Sequence, residues 1–210
     1  MDESDHRHNR PDRWVRSLEA LHAGALGIWV GSLGLTAVTA AIAFPMMREL
    51  DPTLERYAAY PGEHWRLAAG HIAAPLFQIA GWVEVVCCAV AALTLAMVWT
   101  RIGMGGRQAV RVGRWMRMSA VLSAAVLVVA FAAVIGPRMN RNLRLYWNAA
   151  EAGQVNAARS AQQAFSADHP ISSKLLGATL MLALGSLGCA IVWPAGQSQC
   201  EANDAREGSV

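Results

Sequence analysis

LAAGHIAAPLFQIAGWVEVVCCAVAALTLAMVW, residues 67–99, carries a single formally charged side chain, Glu84, in 33 consecutive positions. About 20 mainly apolar residues in a helix cover the ~30 Å of hydrocarbon in a bilayer. This run exceeds that length, so it must tilt or project into water. Backbone amides in lipid have to be satisfied within their own segment, which makes the run a helix and not a strand. Three more apolar runs occupy residues 18–44, 118–135 and 175–193, separated by blocks of charge. With 54% hydrophobic and 16% charged residues distributed in this way, the chain is predicted to be an all-α integral membrane protein. The expected architecture is an antiparallel four-helix transmembrane bundle.

The organisation follows from what lies between the runs. Residues 1–13 are polar, contain Pro11, and are expected to be a disordered tail. Residues 14–193 form the membrane domain, and 194–210 a polar C-terminal tail. Residues 45–66 hold three prolines and room for one short helix, and 101–113 are a turn rich in Gly and Arg. In residues 137–170 apolar side chains recur at Leu143, Tyr146, Trp147, Ala150, Val155, Ala158, Ala161 and Phe165. That spacing predicts an amphipathic helix in the third loop, resting on the bundle or the headgroups. Ala41-Ile42-Ala43 resembles a cleavage site, but the apolar run before it is too long for a signal peptide and the leader carries acids, so the first run is expected to stay as a span.

Arginine placement sets the expected orientation. With the N-terminus inside, the inner segments hold ten basic residues against eight outside, and the 101–117 segment has no acid. Both termini are therefore expected on the cytoplasmic side. All basic residues but Lys174 are arginine and alanine is abundant, which points to a G+C-rich bacterial genome and so to a bacterial inner membrane. The net charge of +3 shows no basic patch interleaved with aromatics, and no nucleic-acid partner is expected. Cys87, Cys88, Cys189 and Cys200 contain no C-x-x-C and form no disulfide framework.

The first span contains HAGALGIWVGSLG, residues 22–34. At about 100° per residue, Gly24, Gly27, Gly31 and Gly34 share one helix face, and His22, Leu26, Trp29 and Leu33 share the opposite one. Small residues let helix backbones approach closely in lipid. The glycine face is therefore expected to be a packing face, with Gly177, Gly185 and Gly188 of the fourth span as its partner or as a route to a homo-oligomer. His22 is read either as an interfacial side chain reaching toward headgroups or as a cofactor ligand or proton relay facing another helix.

Ionisable residues inside spans are costly and mark candidate sites. Glu84, in the middle of the second run, is read either as a hydrogen-bonded packing residue or as a proton or cation site. On the other side of that helix lies the stripe His71, Pro75, Gln78 and Trp82. His71 and His169, on the outer side in this orientation, are candidate haem ligands together with His22. Met46, Met47, His71, Met139 and His169 are candidate copper ligands, methionine and imidazole suiting that metal. No G-x-S-x-G, H-E-x-x-H or P-loop occurs, so nucleophilic or zinc hydrolysis and nucleotide chemistry have no support and no catalytic residue is assigned.

Three segments in order, LHAGALGIWVGSLG (21–34), GPRMNR (136–141) and FSADHPISSKL (165–175), resemble the transmembrane-protein-205-like family of membrane proteins. The match falls on His22, Trp29, Gly31, Gly136, Pro137, Arg138, Phe165, His169, Ser172 and Ser173, with Pro170 where the family usually has glycine. The resemblance implies a four-span helical bundle and no established activity. The first span is also similar to the start of copper-resistance membrane domains. Ser172 or Ser173 is expected to cap the fourth helix, and Arg138 to meet a headgroup phosphate or an acid of the outer loop.

These features lead to a non-enzymatic integral membrane protein, a packing or small transport element whose partners are membrane lipid and a second copy of itself. No cofactor is expected. The competing reading is a membrane redox protein holding haem or copper through histidines at the helix ends.

Overall fold

The computed structural model describes residues 13–102 and 108–193. The expected tails, Cys200 and the centre of the 101–113 turn lie outside the described residues. Among those described there is no strand, and the elements are α1 (Arg13–Leu50), a 3-10 turn (Glu55–Tyr57), α2 (His64–Ile102), α3 (Gln108–Ala130), a π-helical turn (Phe131–Ile135), α4 (Gly136–Glu151) and α5 (Val155–Val192). Four stretches are long and apolar enough to cross a membrane: Arg13–Leu50, His64–Thr100, Arg111–Glu151 and Val155–Val192. At 1.5 Å per residue a 38-residue helix such as α1 is about 57 Å long. Each of these helices therefore outruns the hydrocarbon, as residues 67–99 require.

Their ends differ from those expected, and the reasons are local. α1 runs through Pro45 and stops at Leu50, where Asp51 adopts a positive φ of 40° ahead of Pro52. Pro137, which lacks an N–H to give to Ala133, does not end the third span. A π turn takes up the mismatch, the Gly136 N–H donating to the carbonyl of Phe131, and α4 follows without a break. The stretch 137–170 is not one helix: it is divided between α4 and α5 by a turn at 152–154. Gly153 sits in that turn with φ +66° and its Cα packed on Ala59, a conformation and a closeness that suit glycine alone. α5 starts twenty residues before the apolar run and carries Pro170 in its interior. Ser172 and Ser173 are thus mid-helix, and neither caps a helix start. Ser173 instead donates its hydroxyl to the carbonyl of His169 at 3.0 Å.

The chain divides into two compact units. The first comprises, among described residues, 13–30, 85–102, 108–125 and 180–193. Its core is made at steps of three, four or seven residues by every contributing helix: Val15, His22, Leu26 and Trp29 of α1; Ala91, Leu95 and Val98 of α2; Arg117, Val121 and Ala124 of α3; Ala183, Ser186 and Ala190 of α5. This is the spacing of interlocking helices. Close approach is provided by alanine and serine, and at one point by Gly113, whose Cα lies against Trp193. The expected glycine contact is overturned. Gly24, Gly27 and Gly31 are exposed, and a Cβ on any of the four glycines, or on Gly177, Gly185 or Gly188, would meet nothing within 4 Å. The buried face of the first helix is the opposite one, because it carries Trp29 and Leu26, whose large apolar surfaces fill the core.

The second unit comprises residues 31–84 and 126–179. It has an aromatic core in which Tyr57, Tyr60, Leu67, Tyr146, Ala150 and Ala158 are buried, with Leu54, Leu143 and Trp147 packed around them. Tyr60 meets Tyr146 edge-on at 6.1 Å. The apolar residues 143–161 that suggested a membrane-surface face are thus partly spent on this core.

The two faces of α1 make opposite predictions. Gly31→Ala should leave the unfolding midpoint in detergent unchanged or slightly higher, since it adds a methyl to open space and removes a poor helix former (up to about 1 kcal/mol). Trp29→Ala should cost about 3–5 kcal/mol. Equal losses in a denaturant titration would mean that the glycine face is packed after all.

Candidate functional site

In the first unit, polar side chains occupy core positions. His22 is 1% exposed, which overturns the reading of an imidazole reaching for headgroups. Its Nδ1 lies 3.1 Å from the carbonyl oxygen of Ala91 and 3.1 Å from Oγ1 of Thr94. The hydroxyl of Thr94 donates at 2.8 Å to the carbonyl of Val90. A carbonyl only accepts, and a hydroxyl whose proton is committed accepts as well. Nδ1 must therefore carry the hydrogen, which assigns the tautomer by hydrogen-bond logic. In the neutral ring Nε2 then holds a lone pair, and it is buried with no hydrogen-bond partner.

One turn back on α1, Glu19 receives Arg117 of α3 through Nη1, at 3.0 and 3.3 Å from its two oxygens. The Arg117 side chain is 2% exposed and Glu19 14%. Glu19 and His22 are three residues apart and so share a face. Arg114, three residues before Arg117, is buried too. The Nε of Arg117 and the hydroxyl of Ser186 on α5 are buried without partners. An unsatisfied buried polar atom costs about 1–3 kcal/mol, so several of them within one unit need a reason. Cys87 and Cys88 are buried in the same unit.

The second unit holds the other candidates, and most are tied into structure. The Tyr57 hydroxyl and Nε2 of His71 are 2.7 Å apart. The His71 ring stacks on Trp147 at 4.0 Å between centroids, and Gly70 leaves room for that indole. His64 bridges the loop, its Nδ1 accepting from the Leu54 N–H at 3.0 Å and its Nε2 donating to the Tyr60 carbonyl at 2.8 Å. Arg138 makes a two-point pair with Asp168, at 2.8 Å from Nε and 2.5 Å from Nη2. This is the acid expected for it, supplied by α5. His169 is exposed beside Phe165. His71, Arg138 and His169 thus have three different partners. Glu84 is buried, 3% exposed. Met46 is exposed on α1, with Met47 beside it, and Met139 lies on α4. Among the described residues no group of three His, Cys, Asp or Glu side chains is placed to hold a metal ion. Residues of α1 and α2 also form a groove of about 160 Å³ that is almost wholly apolar, its polar side chains being the hydroxyls of Ser32, Thr36 and Thr39.

Sequence reading found His22 and missed its surroundings. Arg114 and Arg117 belong to the charged 101–117 segment, Glu19 stands at the very start of the first apolar run, and Thr94 and Ser186 are small enough to pass unnoticed in an apolar run. Two signals were available, the spacing Glu19-x-x-His22 and the spacing Arg114-x-x-Arg117, each of which places two ionisable groups on one helix face. In the second unit, Asp168 stands directly before His169 in the segment already singled out. Comparison of the chain with family models, with curated proteins and with solved structures returns no match.

The Tyr57–His71 contact predicts a pH effect. Burial raises the Tyr57 phenol above its ordinary value of 10.0. A phenol whose pKa is higher folded than unfolded contributes stability that is complete below about pH 10 and is lost as the pH rises through the folded value. Tyr57→Phe should lower stability by about 1 kcal/mol at neutral pH and flatten the decline above pH 10. An unchanged alkaline limb in thermal melts from pH 8 to 11 would remove Tyr57 as its source.

Proposed function

We propose that the protein is a non-enzymatic small transport element of a bacterial cytoplasmic membrane. Its four helices are arranged antiparallel, with both termini on the cytoplasmic side. The observation that carries this reading is the burial of His22, Glu84 and Arg117, 1%, 3% and 1% exposed, in helices apolar enough to cross a bilayer. Intramembrane ionisable groups are expensive and mark paths for ions or protons. The excess of arginine in the segments assigned to the inside supports the orientation. α4, with Tyr146 and Ala150 buried and Arg141, Arg144 and Asn148 exposed, supports an amphipathic helix at the membrane surface. The order of the three motifs supports a place beside the transmembrane-protein-205-like proteins. Lipid and a second copy of the chain are the partners this reading names.

The haem or copper alternative has less support at His71, where ligation through Nε2 would displace the Tyr57 hydroxyl and disturb the stack on Trp147. An absorption spectrum and elemental analysis of the detergent-purified protein separate the two. The transport reading expects no Soret band, no near-stoichiometric copper, and dye-reported proton or potassium flux in liposomes that falls at least tenfold in Glu84→Gln. A bound chromophore or copper lost in His71→Ala or His169→Ala would replace it with the redox reading.

A further inference from the structure

We propose that His22 is an intramembrane proton-binding site, its Nε2 taking a proton from hydronium carried by water that enters the polar core of the first unit. The inference rests on the transport reading for its physiological use and on the geometry of the ring for its chemistry. Nδ1–H is held by the carbonyl of Ala91 and the hydroxyl of Thr94, so the ring is fixed in orientation and tautomer, and the one vacant position is the buried lone pair on Nε2. Buried polar atoms left by the protein are commonly satisfied by water that finds two to four of them together. The unpartnered atoms of this unit have complementary roles: Nε2 of His22 accepts, Nε of Arg117 donates, and the Ser186 hydroxyl does either.

The step is a simple transfer. An O–H bond of hydronium breaks, an N–H bond forms at Nε2, and the product is an imidazolium whose Nδ1–H stays on the Ala91 carbonyl. Release to a second water is the reverse. The new positive charge sits one turn from the Glu19 carboxylate, itself held by Arg117. The other charged or titratable groups of the unit's described helices are arginines (Arg13, Arg16, Arg101, Arg111, Arg114) and the thiols of Cys87, Cys88 and Cys189. The charge that acts on the ring is the positive one of Arg117, which the Glu19 carboxylate partly neutralises through their ion pair.

The test has two arms on the full chain. In nanodiscs, histidine-selective 15N spectra should show His22 with Nδ1 protonated and Nε2 bare at neutral pH, and Nε2 gaining a proton reversibly as the pH falls. The signal is assigned by its loss in His22→Gln or, should that chain not fold, by its shift in Thr94→Val. In liposomes with an entrapped pH dye and a potassium diffusion potential, proton flux should fall at least tenfold in His22→Gln and severalfold in Ser186→Ala. An Nε2 already protonated at neutral pH, or one that never titrates, overturns the proposal, as does wild-type flux in His22→Gln. Titration of His22 without flux in any chain upholds the proton site and removes the transport reading instead.

Discussion

The hydrogen bond from His22 to the carbonyl of Ala91 spans two helices that are apolar along most of their length. A helical carbonyl already accepts one N–H from its own helix, and its second lone pair is the only polar handle that an alanine offers. Using it requires close approach, which a small residue at 91 permits. It also requires a ring held edge-on, and Thr94, one turn further on, helps to hold it. In lipid the association of helices gains nothing from exclusion of water, so such contacts and the fit of side chains have to position the helices of this unit. The Glu19–Arg117 pair does the same between α1 and α3, one turn away. Pairs of this kind are costly to desolvate, and their worth here is in fixing which face of each helix turns inward.

The membrane-crossing character of the helices was legible in residues 67–99 and the three runs like it, because hydropathy over twenty residues leaves a soluble alternative little room. Facing was less legible. The glycines of α1 and the Leu26–Trp29 stripe gave two opposed candidate faces, and the tendency of small residues to pack was weighed above the size of tryptophan. In the first unit size prevailed, and close approach was left to Ala91, Ala124, Ala183 and Ser186, which carry no distinctive signature. Helix ends were least legible. Pro45, Pro137 and Pro170 are all accommodated in helical chain, since a long helix loses one hydrogen bond and keeps the rest. The candidate site was half visible: a histidine in an apolar run attracts notice, whereas the arginine that pairs one turn away lies far off in sequence.

The second unit solves a different problem. Its loop and short helices cannot rely on lipid to order them, and they build a small core of tyrosines and tryptophan of the kind found in water-soluble domains. Aromatic side chains suit this because each brings a large apolar area and one polar tip. His71, which looked like a ligand, is the partner of one of those tips, the Tyr57 hydroxyl.

The π turn at Phe131–Ile135 acts as a one-residue insertion that the helix has absorbed. A wider turn advances the chain by one residue without adding to the angular count, so the helix after it is rotated by about 100° relative to an uninterrupted α-helix. The residues before and after the turn therefore follow different helical registers. A related chain that lacked a single residue in this stretch would carry Arg138 away from Asp168 while keeping every motif intact. Two sequences alike in pattern would then differ in which surface their third helix turns toward the core.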